Sequence, residues 1–396
     1  MVRHVPFGSA VSEHPITAVA TGEVCGQVFE AVGESPTLAL VFVTPAHGGA
    51  LQQVAQTVDA VLQPEILIGA VAQSVVGPGR EVERGPGIAL WAGSVGTAAG
   101  VSLPAATNAG PWSFGWPSEL TFEPRALVLL ADPFSFPAED FLSWIDEAHP
   151  GMPVVGAMAS AAHTMGGNSL VLGRKVQRDG AVGVLMGNKM VLEPLVSQGC
   201  RPFGRPLVVT KSDRNVIYEL GGKPALERLV SQARSDLTQD EIESLASGGL
   251  QLGRVIDEHR EEFSRGDFLV RNVLGTDSRS GAVAVGDVVP VGVTVQFQLR
   301  DAATADSDLI GGLANCSADA ALLFTCTGRG TRLFGGPDHD AGAIVDVLGP
   351  IPTAGCFAAG EIGPVGGRNF LHGFTASLAL FTDVASGSRP GGTVSS

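Results

Sequence analysis

The sequence predicts an α/β protein of two domains, with mixed, mostly buried sheets, helices on their outer faces and a repeated strand–helix–strand–strand unit. Three observations carry this expectation. The chain has 396 residues, enough for two domains of ordinary size that each bury a core. Its apolar runs are built from small and β-branched residues with little polar alternation, the pattern of strands covered on both faces. The same order of runs and turns also recurs three times along the chain.

Each copy begins with an apolar strand: Leu38–Val43, Ala126–Ala131 and Ala321–Thr325. A turn follows (TPAHGG, DPFSFP, CTGRGTRLFGGPDHD), then a segment with helical spacing of apolar residues, at Leu51–Leu62, Ala138–Ala148 and Ala341–Leu348. A second short strand runs to a glycine, Gly69, Gly156 or Gly355, about thirty residues after the first strand begins, the length of a βα unit plus a returning strand. A further strand closes each unit at Gly87–Trp91, Ala181–Met186 and Gly373–Phe381. Between the second and third copies, PLVVTKSDRNVIYELGGKPALERLV reads as two strands, a Gly-Gly turn and a helix over Ala225–Ala233 entered through Pro224. Helix and loop are expected over Arg234–Ser247, then strands in GAVAVGDVVPVGVTVQFQLRD with a turn at Gly286-Asp287. The natural boundary falls near residues 187–200, so the expected domains are 30–190 and 191–383, with tails at 1–29 and 384–396.

Composition narrows the function. Hydrophobic residues make up 44% of the chain and charged ones 16%, which excludes a disordered protein. A formal charge of −15 without a basic cluster argues against nucleic acid, because phosphate backbones would be repelled. No apolar run approaches the roughly 18–20 residues that span a bilayer, so no membrane partner is expected. The N-terminal stretch MVRHVPFGSAVSEH has no apolar segment after a basic start, which predicts a cytoplasmic protein. Five cysteines, at 25, 200, 316, 326 and 356, form an odd set with no C-x-x-C spacing, arguing against a disulfide framework or a zinc ribbon. Asp338-His339-Asp340 has ligand-type residues, but three consecutive positions rarely converge on one metal, and no metal is expected. The motifs of P-loop NTPases, α/β-hydrolases, zinc peptidases and dinucleotide binders are absent.

Several ordered motifs carry a resemblance. PEILIGA, GPGREVERGPGIAL, VVGAMAS and DGAVGVLM stand in the first half, and VSQGCRPFG, VVTK, ELGGKPALE, FLVRNVLGTD, FTCTGRG and GCFAAGEIGPVGGRNFLHGFTASLALF in the second. From about Leu38 to about Phe381 the chain resembles the FIST family, intracellular sensory proteins with a FIST N-terminal and a FIST C-terminal domain. The resemblance implies ligand sensing in signal transduction, with amino acids the usual class of ligand and haem or a protein partner in some members. Partners implied are therefore a small molecule and a signalling protein. His47 and His163 are the lone histidines that a haem-bearing member would draw on. One departure stands out: where many relatives read Gly-Cys-Ser-x-x-Gly-Glu in the first copy, this chain has Ala70 and Val75 at the positions matching Cys356 and Glu361, which puts a site in the N-terminal half in doubt.

The candidate chemistry gathers in the third copy. GCFAAGEIG places Glu361 six residues after Gly355, where counting along the other copies gives Val75 and Ala162. Cys356 precedes it, and Arg368, Asn369 and His372 follow among glycines that let backbone approach a ligand. CTGRG puts Cys326, Gly328, Arg329 and Gly330 at the carboxyl end of a strand, where α/β proteins collect ligands. The expected ligand-binding residues are these nine: Cys326, Gly328, Arg329, Gly330, Cys356, Glu361, Arg368, Asn369 and His372. An amino-acid-like zwitterion would set its carboxylate against Arg329 and its ammonium against Glu361. Three alternatives stay open: an enzyme with Cys356 or Cys326 as nucleophile, His372 as base and Glu361 as orienter, a haem-binding sensor, and a protein-interaction scaffold.

Overall fold

A computed structural model describes residues 7–104, 114–260, 262–263 and 266–383. The chain is mixed α/β, as expected. Its contacts gather into two compact units: one drawn from residues up to Val196, from Ile310–Leu371 and from Ala376 onward, the other from Ser197–Leu309 and His372–Thr375.

The first unit holds all three repeats. Repeat one comprises β1 (Phe7–Ser12), α1 (Thr17–Val32), β2 (Leu38–Val43), α2 (Pro45–Gly48), α3 (Leu51–Leu62), β3 (Ile66–Val71), a hairpin of β4 (Val75–Gly77) and β5 (Arg80–Val82), and β6 (Ile88–Gly93). Repeat two comprises β7 (Ala98–Leu103), β8 (Ala126–Ala131), α4 (Ala138–Ala148), β9 (Val154–Met158), the hairpin β10 (Leu170–Leu172) and β11 (Lys175–Gln177), and β12 (Ala181–Met186); β13 (Met190–Ser197) follows. In the second unit come β14 (Cys200–Pro202), β15 (Leu207–Asp213), β16 (Val216–Leu220), β17 (Lys223–Pro224), α5 (Ala225–Asp236), α6 (Gln239–Ser244), a π turn at Leu245–Gly249, β18 (Leu250–Val255), β19 (Phe268–Asp277), β20 (Ala282–Val285) and β21 (Thr294–Arg300). After α7 (Ala302–Leu313), repeat three comprises β22 (Ala320–Cys326), α8 (Thr331–Phe334), α9 (His339–Leu348), β23 (Thr353–Ala358), the hairpin β24 (Gly360–Val365) and β25 (Arg368–His372), and β26 (Ala376–Asp383).

The three repeats build three sheets of one plan: β1-β6-β2-β3-β10-β11, β7-β12-β8-β9-β24-β25 and β13-β26-β22-β23-β4-β5. In each, first and second strands are parallel and the closing strand runs antiparallel to the first. The hairpin that completes each sheet comes from a different repeat. Repeat one's hairpin joins the sheet of repeat three, that of repeat three joins repeat two, and that of repeat two joins repeat one. Alternate strand residues then face two cores, which is why the runs show no polar alternation. Leu38, Leu40 and Phe42 share a central core with Val128, Leu130, Leu322 and Phe324. Ala39, Val41 and Val43 instead pack with Val24 and Val28 of α1 and Val54 and Val58 of α3.

Gly69, Gly156 and Gly355 occupy one position in this plan, opposite Val41, Leu129 and Leu323 across the parallel pair. A Cβ at these glycines would fall 2.1, 1.8 and 1.7 Å from the carbonyl oxygen of that partner. The glycines are needed for close strand approach, and their shared spacing has this physical cause.

Two sequence expectations change. The segment expected as a tail, 1–29, contributes β1 and most of α1, whose Ala20, Val24 and Val28 are fully buried. The division at residues 190 and 191 follows the chain, whereas the third repeat shares a core with the first two because its sheet needs β4 and β5. The second unit, in turn, closes β21, β15, β16, β20, β19 and β18 into an antiparallel ring, since β18 pairs with both β19 and β21. Its core includes Val209, Ile217, Leu229 and Phe297.

The glycine positions supply a test. Gly355→Ala should lower stability by about 1–3 kcal/mol in chemical denaturation, through overpacking against the Leu323 carbonyl. Gly22→Ala, in α1 with nothing within 4 Å of the added carbon, should raise it by about 0.5–1 kcal/mol.

Candidate functional site

The carboxyl ends of β22 and β23 carry the CTGRG and GCFAAGE segments. After Cys326 the chain turns at once, with Arg329 N–H donating to the Cys326 carbonyl at 2.8 Å, and Gly330, at φ 59°, leads into α8. Only glycine suits this place: the backbone is left-handed and a Cβ would lie 2.8 Å from the Glu83 carboxylate.

Arg329 has no solvent exposure. Its guanidinium donates from Nε and Nη2 to the two oxygens of Asp340, both at 2.8 Å, and lies over the Phe334 ring at 5.2 Å. Asp340, equally buried, also accepts from Thr325 Oγ1 at 2.6 Å and sits 2.9 Å from His339 Nδ1. Burial alone would push the Asp340 carboxyl up, but the Arg329 guanidinium and these hydrogen bonds hold it well below the usual carboxylate range. The Asp338-His339-Asp340 run is thus occupied by folding contacts: Asp338 Oδ1 accepts from Glu81 N–H at 2.6 Å, while His339 stacks on Phe334.

Glu81, on the hairpin strand β5 that repeat one lends, meets the start of α9. Its Oε1 accepts the N–H groups of Asp340 and Ala341 at 3.0 and 3.1 Å, capping the positive end of the helix. Its Oε2 is buried and has no hydrogen-bond partner among the described residues. Burial first, and the Asp340 charge second, raise the Glu81 carboxyl from 4.5 to about 8. The Glu81 carboxyl therefore holds its proton to higher pH than an ordinary carboxylate does.

On the central side, Cys326, Cys356 and Glu361 are buried. Glu361 pairs with Ala157 of β9, as Val75 pairs with Cys356 and Leu170 with Ala70. Leu170, and not Ala162, is the repeat-two counterpart of Glu361, because a longer loop separates β9 from β10. A carboxylate thus stands where the other two repeats put Val75 and Leu170 into the central core. Burial, with the Glu361 charge adding to it, pushes the Cys356 thiol far above its ordinary value, a setting that disfavours the thiolate a nucleophile needs. His372 belongs to the second compact unit.

Arg368 and Asn369 engage repeat two. Asn369 Nδ2 donates to Asp146 at 2.7 Å and to the Met152 carbonyl at 3.0 Å, its Oδ1 accepts from Val154 N–H at 2.8 Å, and Arg368 Nε lies 3.6 Å from Asp146. They fasten the exchanged hairpin. His47 sits 2.9 Å from Thr17 Oγ1 in the interior, and His163 is exposed.

Beside the Arg329–Asp340 pair lies an open cleft of about 300 Å³, lined by Ser74, Glu83, Arg84, Thr327, Thr331 and Arg332, with Gln73 and Phe357. Its floor draws on all three repeats: Ser160 Oγ accepts from Gln73 N–H at 2.9 Å and donates to the Phe357 carbonyl at 2.5 Å. Glu83 is anchored by Thr331 N–H at 2.8 Å. Arg84 and Arg332 are exposed and have no ion-pair partner among the described residues. Sequence reasoning missed these residues, although the alternating carboxylates of GREVERG were legible; nothing local says that this hairpin meets β23.

The chain matches the FIST N domain over residues 37–223 and the FIST C domain over residues 225–364. It belongs to the FIST family. Two uncharacterized proteins of Mycobacterium tuberculosis are similar to it, one 43% identical over 385 residues (95% of this chain, 100% of that one), the other 42% identical over 386 residues (95% and 99%). An uncharacterized protein of Mycobacterium bovis is also 42% identical over 386 residues. FIST domains are generally associated with sensory and signal-transduction roles. No helix among the described residues is long and apolar enough to cross a membrane.

Two outcomes follow from the buried charges. Asp340→Asn should cost about 3–5 kcal/mol of stability, because it strands the buried Arg329 charge. Glu81 should make the protein less stable as pH rises: its contribution is complete below pH 4.5, the ordinary value, and is lost as pH climbs through about 8, because the folded state holds the proton that the unfolded chain releases. Glu81→Gln should flatten the stability profile between pH 4.5 and 8, measured by thermal melts across that window.

Proposed function

We propose that this FIST protein is an intracellular sensor of an amino-acid-like zwitterion, held in the cleft at the carboxyl ends of β22 and β23. The observation that carries this reading is the placement of two arginines with no carboxylate partner among the described residues, Arg84 and Arg332, on the same cleft as the anchored Glu83. A guanidinium can hold an α-carboxylate through two parallel hydrogen bonds, and a carboxylate beside it suits an α-ammonium. Ser74, Thr327 and Thr331 add hydroxyls that donate or accept as a ligand requires.

The reading keeps the CTGRG loop in the site and moves the charged contacts. Arg329, expected to pair with the ligand carboxylate, is bonded to Asp340. Its part in the proposal is to hold Gly328, Gly330 and Thr331 in place from beneath. Glu361 and Cys356, in the interior behind the loop, would shape the floor, and the family's sensory association supports recognition over turnover. A signalling protein would then read the liganded state.

A thermal-shift screen of the twenty amino acids tests this. At a hundred times its dissociation constant, one of them should stabilise the protein by about 2.7 kcal/mol. Arg332→Ala with Arg84→Ala should remove that shift while leaving the unliganded melting temperature unchanged, since both side chains are exposed. Glu83→Gln should weaken an amino acid more than the corresponding carboxylic acid lacking the amine. Silence across the whole screen sinks the proposal.

A further inference from the structure

The second compact unit carries a feature that the zwitterion cleft does not use. The apolar stripe of α5 (Leu226, Leu229, Val230, Ala233) is wider than its neighbours cover: Leu229 and Ala233 are buried, Leu226 is half-buried and Val230 is 40% exposed. Facing it are Ile242 of α6, Leu245 of the π turn, Leu250 of β18 and Val273 of β19, each packed on the core by one side only. Between these walls the unit leaves a groove of about 680 Å³. That size lies within the roughly 300–1,000 Å³ typical of small-molecule sites.

Two backbone irregularities widen it. At β19, Val273 and Gly275 face Val285 and Ala284, so Leu274 is an extra residue that bulges outward, and a Cβ at Gly275 would meet nothing within 4 Å. The π turn contributes Gly248, whose φ of 100° glycine alone adopts readily. Of the residues lining the groove, Arg234 is the one with a charge. It is exposed, in the last turn of α5, and forms no ion pair among the described residues. A single cationic side chain lining an otherwise uncharged, largely apolar groove, on a chain of net charge −15, marks a polarity that a neutral ligand would not need.

We infer that this groove binds an apolar monocarboxylate, its hydrocarbon body along Val230, Ile242, Leu250 and Val273 and its carboxylate against Arg234. The site is independent of the amino-acid reading and stands or falls separately from it.

The test uses the full chain and 11-(dansylamino)undecanoate, whose fluorescence rises on leaving water, alongside its methyl ester. The expected result is saturable binding of the acid. Arg234→Gln should weaken the acid about tenfold and leave the ester unchanged, as loss of one charge-assisted contact requires. Val230→Trp, at an exposed position, should abolish binding of both with melting unaltered; Thr276→Phe, on the opposite wall, serves as a second block that does not touch α5. Absence of saturable binding overturns the inference, as does binding that survives both blocking variants. So does an Arg234→Gln effect equal for acid and ester, or binding to anionic vesicles with none to the soluble probe.

Discussion

Antiparallel pairing between the hairpin of one repeat and the second strand of another is the constraint from which the rest of the first unit follows. Each second strand has one neighbour in its own repeat, the parallel first strand, and leaves its other edge unsatisfied. An exposed row of N–H and C=O groups on a buried strand is costly, and a strand of three to six residues from another repeat covers it. Because the exchange runs around all three repeats, no repeat completes its sheet alone, and all three sheets are complete only when all three repeats are present. The three glycines serve the same layer of this assembly, letting the parallel pair approach where the hairpin strand docks on its far side.

The exchange also explains where the charges sit. Bringing β4 and β5 to the edge of β23 carries Glu81 to the first turn of α9 and Glu83 to the first turn of α8. Both helix starts are capped by a segment more than two hundred residues away in sequence. Arg329 and Asp340 then form a pair with no access to water, and such a pair holds only when geometry and additional hydrogen bonds offset desolvation. Thr325, His339 and the bidentate guanidinium supply them. Arg329 draws the Asp340 carboxyl down while burial and the Asp340 charge push the neighbouring Glu81 carboxyl up, and the cluster supports the loop that borders the cleft.

Much of this was legible beforehand, and for a definite reason. A βα unit is a local object: its strand, turn, helix and returning strand lie within about thirty residues, so apolar spacing and turn residues record it. Leu38–Val43, Ala126–Ala131 and helices such as Leu51–Leu62 and Ala138–Ala148 stand where the pattern placed them. The equivalence of Gly69, Gly156 and Gly355 was legible for the same reason. Counting residues failed at Ala162, because the loop after β9 is longer than its counterparts and Leu170 takes the place opposite Ala70, the counterpart of Ala157.

By itself the sequence determined the fold class, the threefold repetition, the family and the position of the CTGRG loop at a strand's carboxyl end, all of them properties of neighbours in the chain. Tertiary structure alone decided which repeat lends its hairpin to which, and so which charges meet. Arg329 and Glu361 look like ligand groups in a linear reading because both stand among glycines; in the folded chain one is bound to Asp340 and the other replaces Val75 and Leu170 in the central core. Arg84 and Glu83 look like ordinary solvated charges, yet long-range strand pairing brings them to the CTGRG loop. Strand pairing is specified by edges and buried faces that form only when the repeats pack together, and no local pattern encodes the partner.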